Sequence, residues 1–421
     1  MKIGIVTTWF ERGAAYVSRQ YRQKLAEEHD VYIYARGGEK YAVGDPAWDD
    51  YRVTWGKRLP FVSATTVDQR DFRRWLARNG IELVIFNEQK SWPAVVLCNE
   101  LGIVTGAYVD YYTEETVPLF ACYDFLVCNT RRHHSVFAWH PQSYFIPWGT
   151  DVNLFKPRRT DRAAPRVLTF FHSAGMSPRR KGTDLLLEAY AHLKGGARLV
   201  IHSQVPLLQA LPDRSQLVDN LMSAGSLMLI EETVAAPGLY HLGDVYVYPS
   251  RLEGIGLTVP EALACGLPVI TTDQPPMNEF VVHGETGWLL RVARFVSRSD
   301  GYYWPQAIVE VASLHDAMVH YVEDASALRR QRSQSRKHAE ESLDWSRNGE
   351  HLLDCVAQVQ KRPGAELRAV GERVLAHERE QTSLLQRHPM FFYFLSSLYR
   401  SFKPWASAVS GKRLGRRENG R

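Results

Sequence analysis

Two carboxylates eight residues apart, Glu253 and Glu261, flank a glycine-bearing turn in the stretch YPSRLEGIGLTVPEALACGLPVITTD (248–273). Gly254 and Gly256 remove side chains, so a ligand can come close to the backbone there. Pro260 suits the first turn of a helix, where its missing N–H costs nothing. The free N–H groups and positive end of that helix favour an anion. Carboxylates beside it suit hydroxyl donors instead. A ligand with phosphates at its middle and hydroxyl-rich groups at both ends meets both demands, as a nucleotide sugar does. The same residues also fit a first-turn glutamate favoured by the helix dipole, with Glu253 solvated.

A second candidate is Lys181, in AGMSPRRKGTDLLLEAY (174–190). It follows a strand-like run and precedes Gly182, with a helix expected from Thr183. A cation at a helix N-terminus makes sense chiefly when an anion arrives between them. Arg179 and Arg180 adjoin it, and either can supply a second charge.

These residues need a frame that brings them together. Short apolar runs alternate with helical patterns from the start: 2–8, 30–36, 82–88, 102–110, 124–130 and 143–149, with helices at 13–29 and around 67–79. The pattern restarts at 166–173, 197–203, 227–233, 244–250, 267–273 and 287–292. Continuous apolar strands alternating with helices predict parallel sheets covered on both faces. The fold class is therefore α/β, with two Rossmann-like doubly wound domains. In such sheets ligands bind beyond the carboxyl ends of the strands, where both glutamates and Lys181 fall. The expected divisions are 1–155, 156–350 and a helical extension at 351–421. The charged, proline-bearing segment 156–165 is the expected linker. Past about residue 300 the chain reads as mainly helical.

Taken together, EGIGLTVPE (253–261), YHLGDVYVYPS (240–250), ALACGLPVITTD (262–273), IPWGTDVNLFKP (146–157) and RKGTDLLLEAY (180–190) resemble, in their usual order, the landmarks of GT-B nucleotide-sugar glycosyltransferases, in particular retaining family 4. The resemblance covers about residues 1–350 and is weaker in the first half. It implies a GT-B fold, an acceptor-binding first domain and a donor-binding second domain. It assigns Glu261 to the ribose hydroxyls and Glu253 to the transferred sugar. Gly256, Leu257 and Thr258 would receive the diphosphate on their backbone, with Lys181 and Arg180 or Arg179 as counter-charges. Many relatives carry an arginine about six positions before the lysine; here Gly175 stands there.

Transfer builds negative charge on the departing diphosphate, and stabilising that charge is the main electrostatic task. The chain contains no D-x-D triplet of the kind that holds a metal in GT-A enzymes. Lys181, an arginine and the helix start are expected to serve instead, so neither a metal nor another cofactor is expected. Gly13, in FERGAAYVS, matches in part a glycine-rich loop near the donor phosphates. Asp110 stands nearest the place where relatives have a histidine. It is a candidate to position the reacting sugar or acceptor hydroxyl, or to cap the next turn. Glu88, ending the run 82–88, is an acceptor-side candidate. His133, His134 and His172 read as capping or core residues.

Composition narrows the field. The 421 residues suit two domains, and 45% hydrophobic content with 11% aromatics supports real cores. A net charge of +5 does not mark a nucleic-acid binder. The five cysteines are scattered, so a reducing cytoplasm is expected. The segment 388–421 interleaves Phe391, Phe392, Tyr393, Phe394, Tyr399, Phe402 and Trp405 with Arg400 and Lys403. It fits either a peripheral contact with an anionic membrane or a helix packed on the first domain. The expected partners are a nucleotide-sugar donor and a glycan or lipid-linked acceptor, in cell-surface polysaccharide or glycolipid synthesis. A nucleotide-sugar epimerase and an inactive GT-B scaffold are the alternatives. UDP and GDP donors are both compatible with IEETVAAPGLY (230–240).

Overall fold

The fold is given by a computed structural model, which describes residues 1–383 except 39, 61, 158–166 and 194, together with 386 and 394. The expected linker 156–165 and the aromatic tail 388–421 thus lie outside the described residues, apart from 156, 157 and 394.

The chain builds two parallel sheets. The first has the order β3-β2-β1-β4-β5-β6-β7. Its strands are β1 (Lys2–Thr7), β2 (Asp30–Ala35), β3 (Val53–Trp55), β4 (Leu83–Asn87), β5 (Val104–Tyr108), β6 (Phe125–Cys128) and β7 (Ser143–Phe145). The second has the order β10-β9-β8-β11-β12-β13. It consists of β8 (Leu168–Gly175), β9 (Ala197–Ser203), β10 (Leu227–Glu231), β11 (Val245–Tyr248), β12 (Val269–Thr272) and β13 (Gly287–Leu290). Both orders reverse beside their first strand, between β1 and β4 and between β8 and β11, where the crevice of a doubly wound sheet opens. Buried runs such as LVIFN in β4 and VYVY in β11 explain why these segments become central strands. Both of their faces are covered by helices, so continuous apolar sequence is favoured over alternation.

Two departures from the sequence reading concern the region around residue 300. The run 287–292 does not continue as one strand, since β13 ends at Leu290. The chain then forms an antiparallel hairpin, β14 (Val292–Val296) with β15 (Gln306–Val309), before the helical region begins at Val311. The pattern of β14 hides it, because its last four residues are all exposed and no apolar alternation marks them. The three-residue strand β3 was also unforeseen; a run so short has too few residues to show a period.

The chain then returns to the first domain. Thr150 N donates to Leu343 O at 2.7 Å, and Trp345 N donates to Thr150 O at 3.0 Å. Trp345 lies parallel to Tyr21 with ring centroids 5.9 Å apart and packs on Trp148 at 4.9 Å. Lys24, buried at the end of the helix Gly13–Leu25, pairs with Glu350 at 2.5 Å. The helices Glu350–Gln358 and Gly364–Gln381 then cover the first domain, with Lys361 Nζ 2.8 Å from the buried Asp124. No described helix is long and apolar enough to cross a membrane.

Candidate active site

Glu253 sits on the loop after β11 and is buried. Four donors meet its Oε1. They are Lys181 Nζ at 2.8 Å, Arg180 Nη1 at 2.9 Å, Tyr248 OH at 2.9 Å and Ser250 Oγ at 2.5 Å. Burial alone would raise the Glu253 carboxyl, but Arg180 and Lys181 outweigh it and hold the group at about 2. Burial, aided by Arg180, brings the Lys181 ammonium down to about 8, against the pull of Glu253. Two cations thus converge on one carboxylate, leaving a unit of positive charge beside the cleft.

Local geometry explains why Lys181 arrives there. Gly182 has φ +76°, a left-handed conformation that favours glycine, and a Cβ on it would meet the carbonyl oxygen of Pro249 at 2.1 Å. The close approach of this turn to β11's end delivers Lys181 to Glu253. Arg251 reinforces the seam with a two-bond contact to Asp184, at 2.7 and 2.8 Å. Of the two neighbouring arginines, Arg180 is in the cluster and Arg179 is not. Arg179 turns to Asp213 and Asp184. Gly175 lies where its Cβ would be 4.0 Å from Lys181 Cε.

Glu261 lies in the first turn of the helix Thr258–Ala264 and accepts from Tyr240 OH at 2.5 Å. Burial pushes its carboxyl up to about 7, with Tyr240 and Lys181 acting against the rise. The helix has only seven residues, so less of the expected anion attraction comes from its dipole than from the side-chain cations. The turn before it requires φ +84° at Gly256. Leu257, Thr258, Glu261, Tyr240 and Gly13 line a cavity of about 790 Å³ in the cleft between the domains, which Val234–Leu239 also borders. Gly13 begins its helix directly across this cleft; a Cβ there would meet Leu257 at 3.8 Å.

A smaller cavity of about 310 Å³ joins Glu253 and Arg180 to Glu88 and Asp110 of the first domain. Burial first, then the neighbouring Glu88 carboxylate, pushes the Asp110 carboxyl well above its usual range. Glu88 pairs with Arg12 at 3.2 Å. It has φ +50°, a strained value for a residue with a side chain, and such strain gathers at functional sites. Lys181 lines neither cavity directly; its side chain is 14% exposed and faces Glu253 and Tyr248.

Several contributors were not foreseen. The start of the helix Arg131–Phe137 grips the Glu253 loop from the first domain. Arg132 donates to the carbonyls of Glu253 and Pro275, the latter at 2.6 Å. His133 Nε2 lies 3.1 Å from the carbonyl of Gly254, and its Nδ1 lies 2.8 Å from Tyr112 OH. Glu279 accepts from the backbone N–H groups of Arg131 and Arg132 at 2.6 and 3.0 Å. The hairpin loop closes the same end of the cleft, with Tyr302 OH donating to Asp110 O at 2.9 Å and its ring stacked on Tyr111. Only the adjacency of RR and HH hinted at the first group, and nothing in the sequence marked the second. His172 is a core residue, bonded to Val247 O and Thr183 Oγ1, both at 2.7 Å. Among the described residues, no three His, Cys, Asp or Glu side chains form a metal-binding group.

The comparisons with known proteins agree with this fold. Residues 167–298 match the family Glycosyl transferases group 1. The lipopolysaccharide core biosynthesis mannosyltransferase LpsB of Rhizobium meliloti is 26% identical over 239 residues, 52% of this chain and 65% of that protein. D-inositol 3-phosphate glycosyltransferase 1 of Catenulispora acidiphila is 30% identical over 228 residues, 49% of this chain and 51% of that protein. This chain therefore spans between half and two thirds of these relatives. Anabaena Alr3699/HepE, solved with UDP and glucose, superposes with a TM-score of 0.65 at 16% identity, covering 85% of this chain and 100% of that one. With its two doubly wound sheets the chain has the GT-B fold, and its residues 167–298 are similar to the family Glycosyl transferases group 1.

Proposed function

We propose that this protein is a retaining, metal-independent glycosyltransferase that moves a sugar from a nucleoside-diphosphate donor to a glycan or lipid-linked acceptor. The observation that carries the reading is the convergence of Lys181 and Arg180 on Glu253, which lines the smaller cavity, eight residues before Glu261, which lines the larger one. Glu261 accepts from the ribose hydroxyls, replacing or sharing its bond from Tyr240. The backbone of Gly256–Thr258 receives the diphosphate. Lys181 and Arg180 stabilise the charge that grows there as the glycosidic bond breaks. All four donors to Glu253 meet Oε1, which leaves Oε2 for a hydroxyl of the transferred sugar. Asp110 and Glu88 lie across the small cavity, in place to orient the acceptor hydroxyl. Metal independence rests on the two side-chain cations, which supply the charge that a bound metal would bring. The relatives' names, a lipopolysaccharide mannosyltransferase among them, support cell-surface glycan or glycolipid synthesis as the setting.

The test is thermal stabilisation of wild type and Glu261→Ala by UDP-, GDP-, ADP- and dTDP-sugars, with and without EDTA. One donor class should stabilise the wild type equally in both conditions and fail on the variant. No shift with any nucleotide sugar would turn the reading toward a binding scaffold.

A further inference from the structure

A third cavity lies apart from Glu253. About 1110 Å³ opens on the first domain, between the segment Lys57–Arg70 and the C-terminal helix Gly364–Gln381. Leu59, Val67, Trp92, Phe120 and Leu375 give it an apolar lining. The helix wall is pinned in place. Glu378 accepts from Ser91 Oγ at 2.7 Å and from Trp92 N at 3.2 Å, and His377 Nδ1 lies 3.2 Å from Glu115. This groove and the 310 Å³ cavity share Ser63, Lys90 and Tyr111, so the two meet. Lys90 marks the junction, its Nζ 3.5 Å from the centroid of the Tyr111 ring.

We propose that this groove holds the apolar portion of an alkyl-bearing glycoside acceptor, whose sugar end reaches Asp110 and Glu253 through the junction at Lys90. The proposal rests on the transferase reading and names the class of its acceptor. Three observations carry it. The groove shares the wall residues Ser63, Lys90 and Tyr111 with the cavity that reaches Glu253, so one elongated molecule passing Lys90 can reach both. Its inner end offers carboxyl groups, which suit sugar hydroxyls. Its lining offers aliphatic and aromatic surface, which an alkyl chain covers favourably and a bare glycan does not. The rim mixes Arg70, Lys90 and Arg379 with Asp68, Glu115 and Glu378, so it selects no single sign of charge.

The experiment is calorimetric binding of methyl and n-hexyl glycosides of glucose, mannose and galactose to the full chain, without nucleotide and below micelle-forming concentrations. At least one hexyl glycoside should bind about tenfold or more tightly than its methyl counterpart, from the added methylenes buried. Leu59→Asp and Leu375→Asp, both at half-buried positions, should abolish that preference. They should keep the wild-type stabilisation by the nucleotide-sugar donor, which shows them folded. Equal binding of the two series, no binding, or a preference that survives both substitutions overturns the proposal. The groove would then belong to another occupant, the chain's own aromatic tail or a protein partner. Failure of the transferase reading shows separately, as absence of any donor-induced shift in the wild type.

Discussion

The Nζ of Lys181 lies 2.8 Å from Oε1 of Glu253, a pair 72 residues apart in sequence and shared with Arg180. Neither side chain is free to leave without stranding the other in a buried place. Removing Lys181 leaves Glu253 with one cation and removes charge from the diphosphate side. Lys181→Met should lower kcat by about a hundredfold or more, the scale of losing one preorganised donor to a developing charge. Steady-state kinetics with the identified donor check this. A kcat within threefold of wild type would remove Lys181 from the leaving-group role.

Glu261 should make both donor affinity and stability depend on pH. Its carboxyl titrates near 7 in the folded chain, raised chiefly by burial from an ordinary 4.5. The folded state therefore holds the proton more tightly. The associated stability is full below about 4.5 and is lost as pH rises through 7. Glu253 has the opposite slope. Held at about 2, it contributes stability above 4.5 that is lost as pH falls through 2. Glu261→Gln should raise stability by about 3 kcal/mol above pH 7 and leave it unchanged below pH 4.5. Donor binding by the wild type should weaken below pH 7, and the same variant should flatten that dependence. Urea unfolding and donor titrations at a series of pH values decide both.

Gly182→Ala tests the close approach that delivers Lys181. The new Cβ meets a backbone oxygen at 2.1 Å and adopts φ +76°. Relieving that contact must move either the Lys181 turn or the end of β11. A loss of at least about 2 kcal/mol in urea unfolding is expected, together with weakened donor binding. A variant as stable as wild type would show that the turn relaxes freely.

Arg132 couples the domains. It is buried and donates to Glu253 O and Pro275 O across the cleft. Arg132→Ala leaves both carbonyls without that donor. Transfer should slow by about tenfold or more. Small-angle scattering should show a larger radius of gyration for the free variant than for free wild type. A purely local packing defect would change stability without changing that radius.

Much of this was legible from the chain alone. The apolar runs that become β1, β4, β8 and β11 name themselves, because a strand covered on both faces must be continuously apolar. Glu253, Glu261 and Lys181 stand out as candidates because residue type and spacing beside glycine turns constrain the chemistry locally. Tertiary structure alone decided what those residues meet. Arg180 rather than Arg179 joins Glu253, because Asp184 and Asp213 capture Arg179 from elements that only folding brings near. The grip of Arg132 and His133 on the Glu253–Gly254 loop spans 121 residues. The hairpin β14–β15 carries no apolar rhythm and finds its place by pairing across the cleft, as Tyr302 does with Asp110. Periodicity reports which face of an element is buried. It carries no information about the partner that buries it, since contacts between distant segments depend on how whole layers pack.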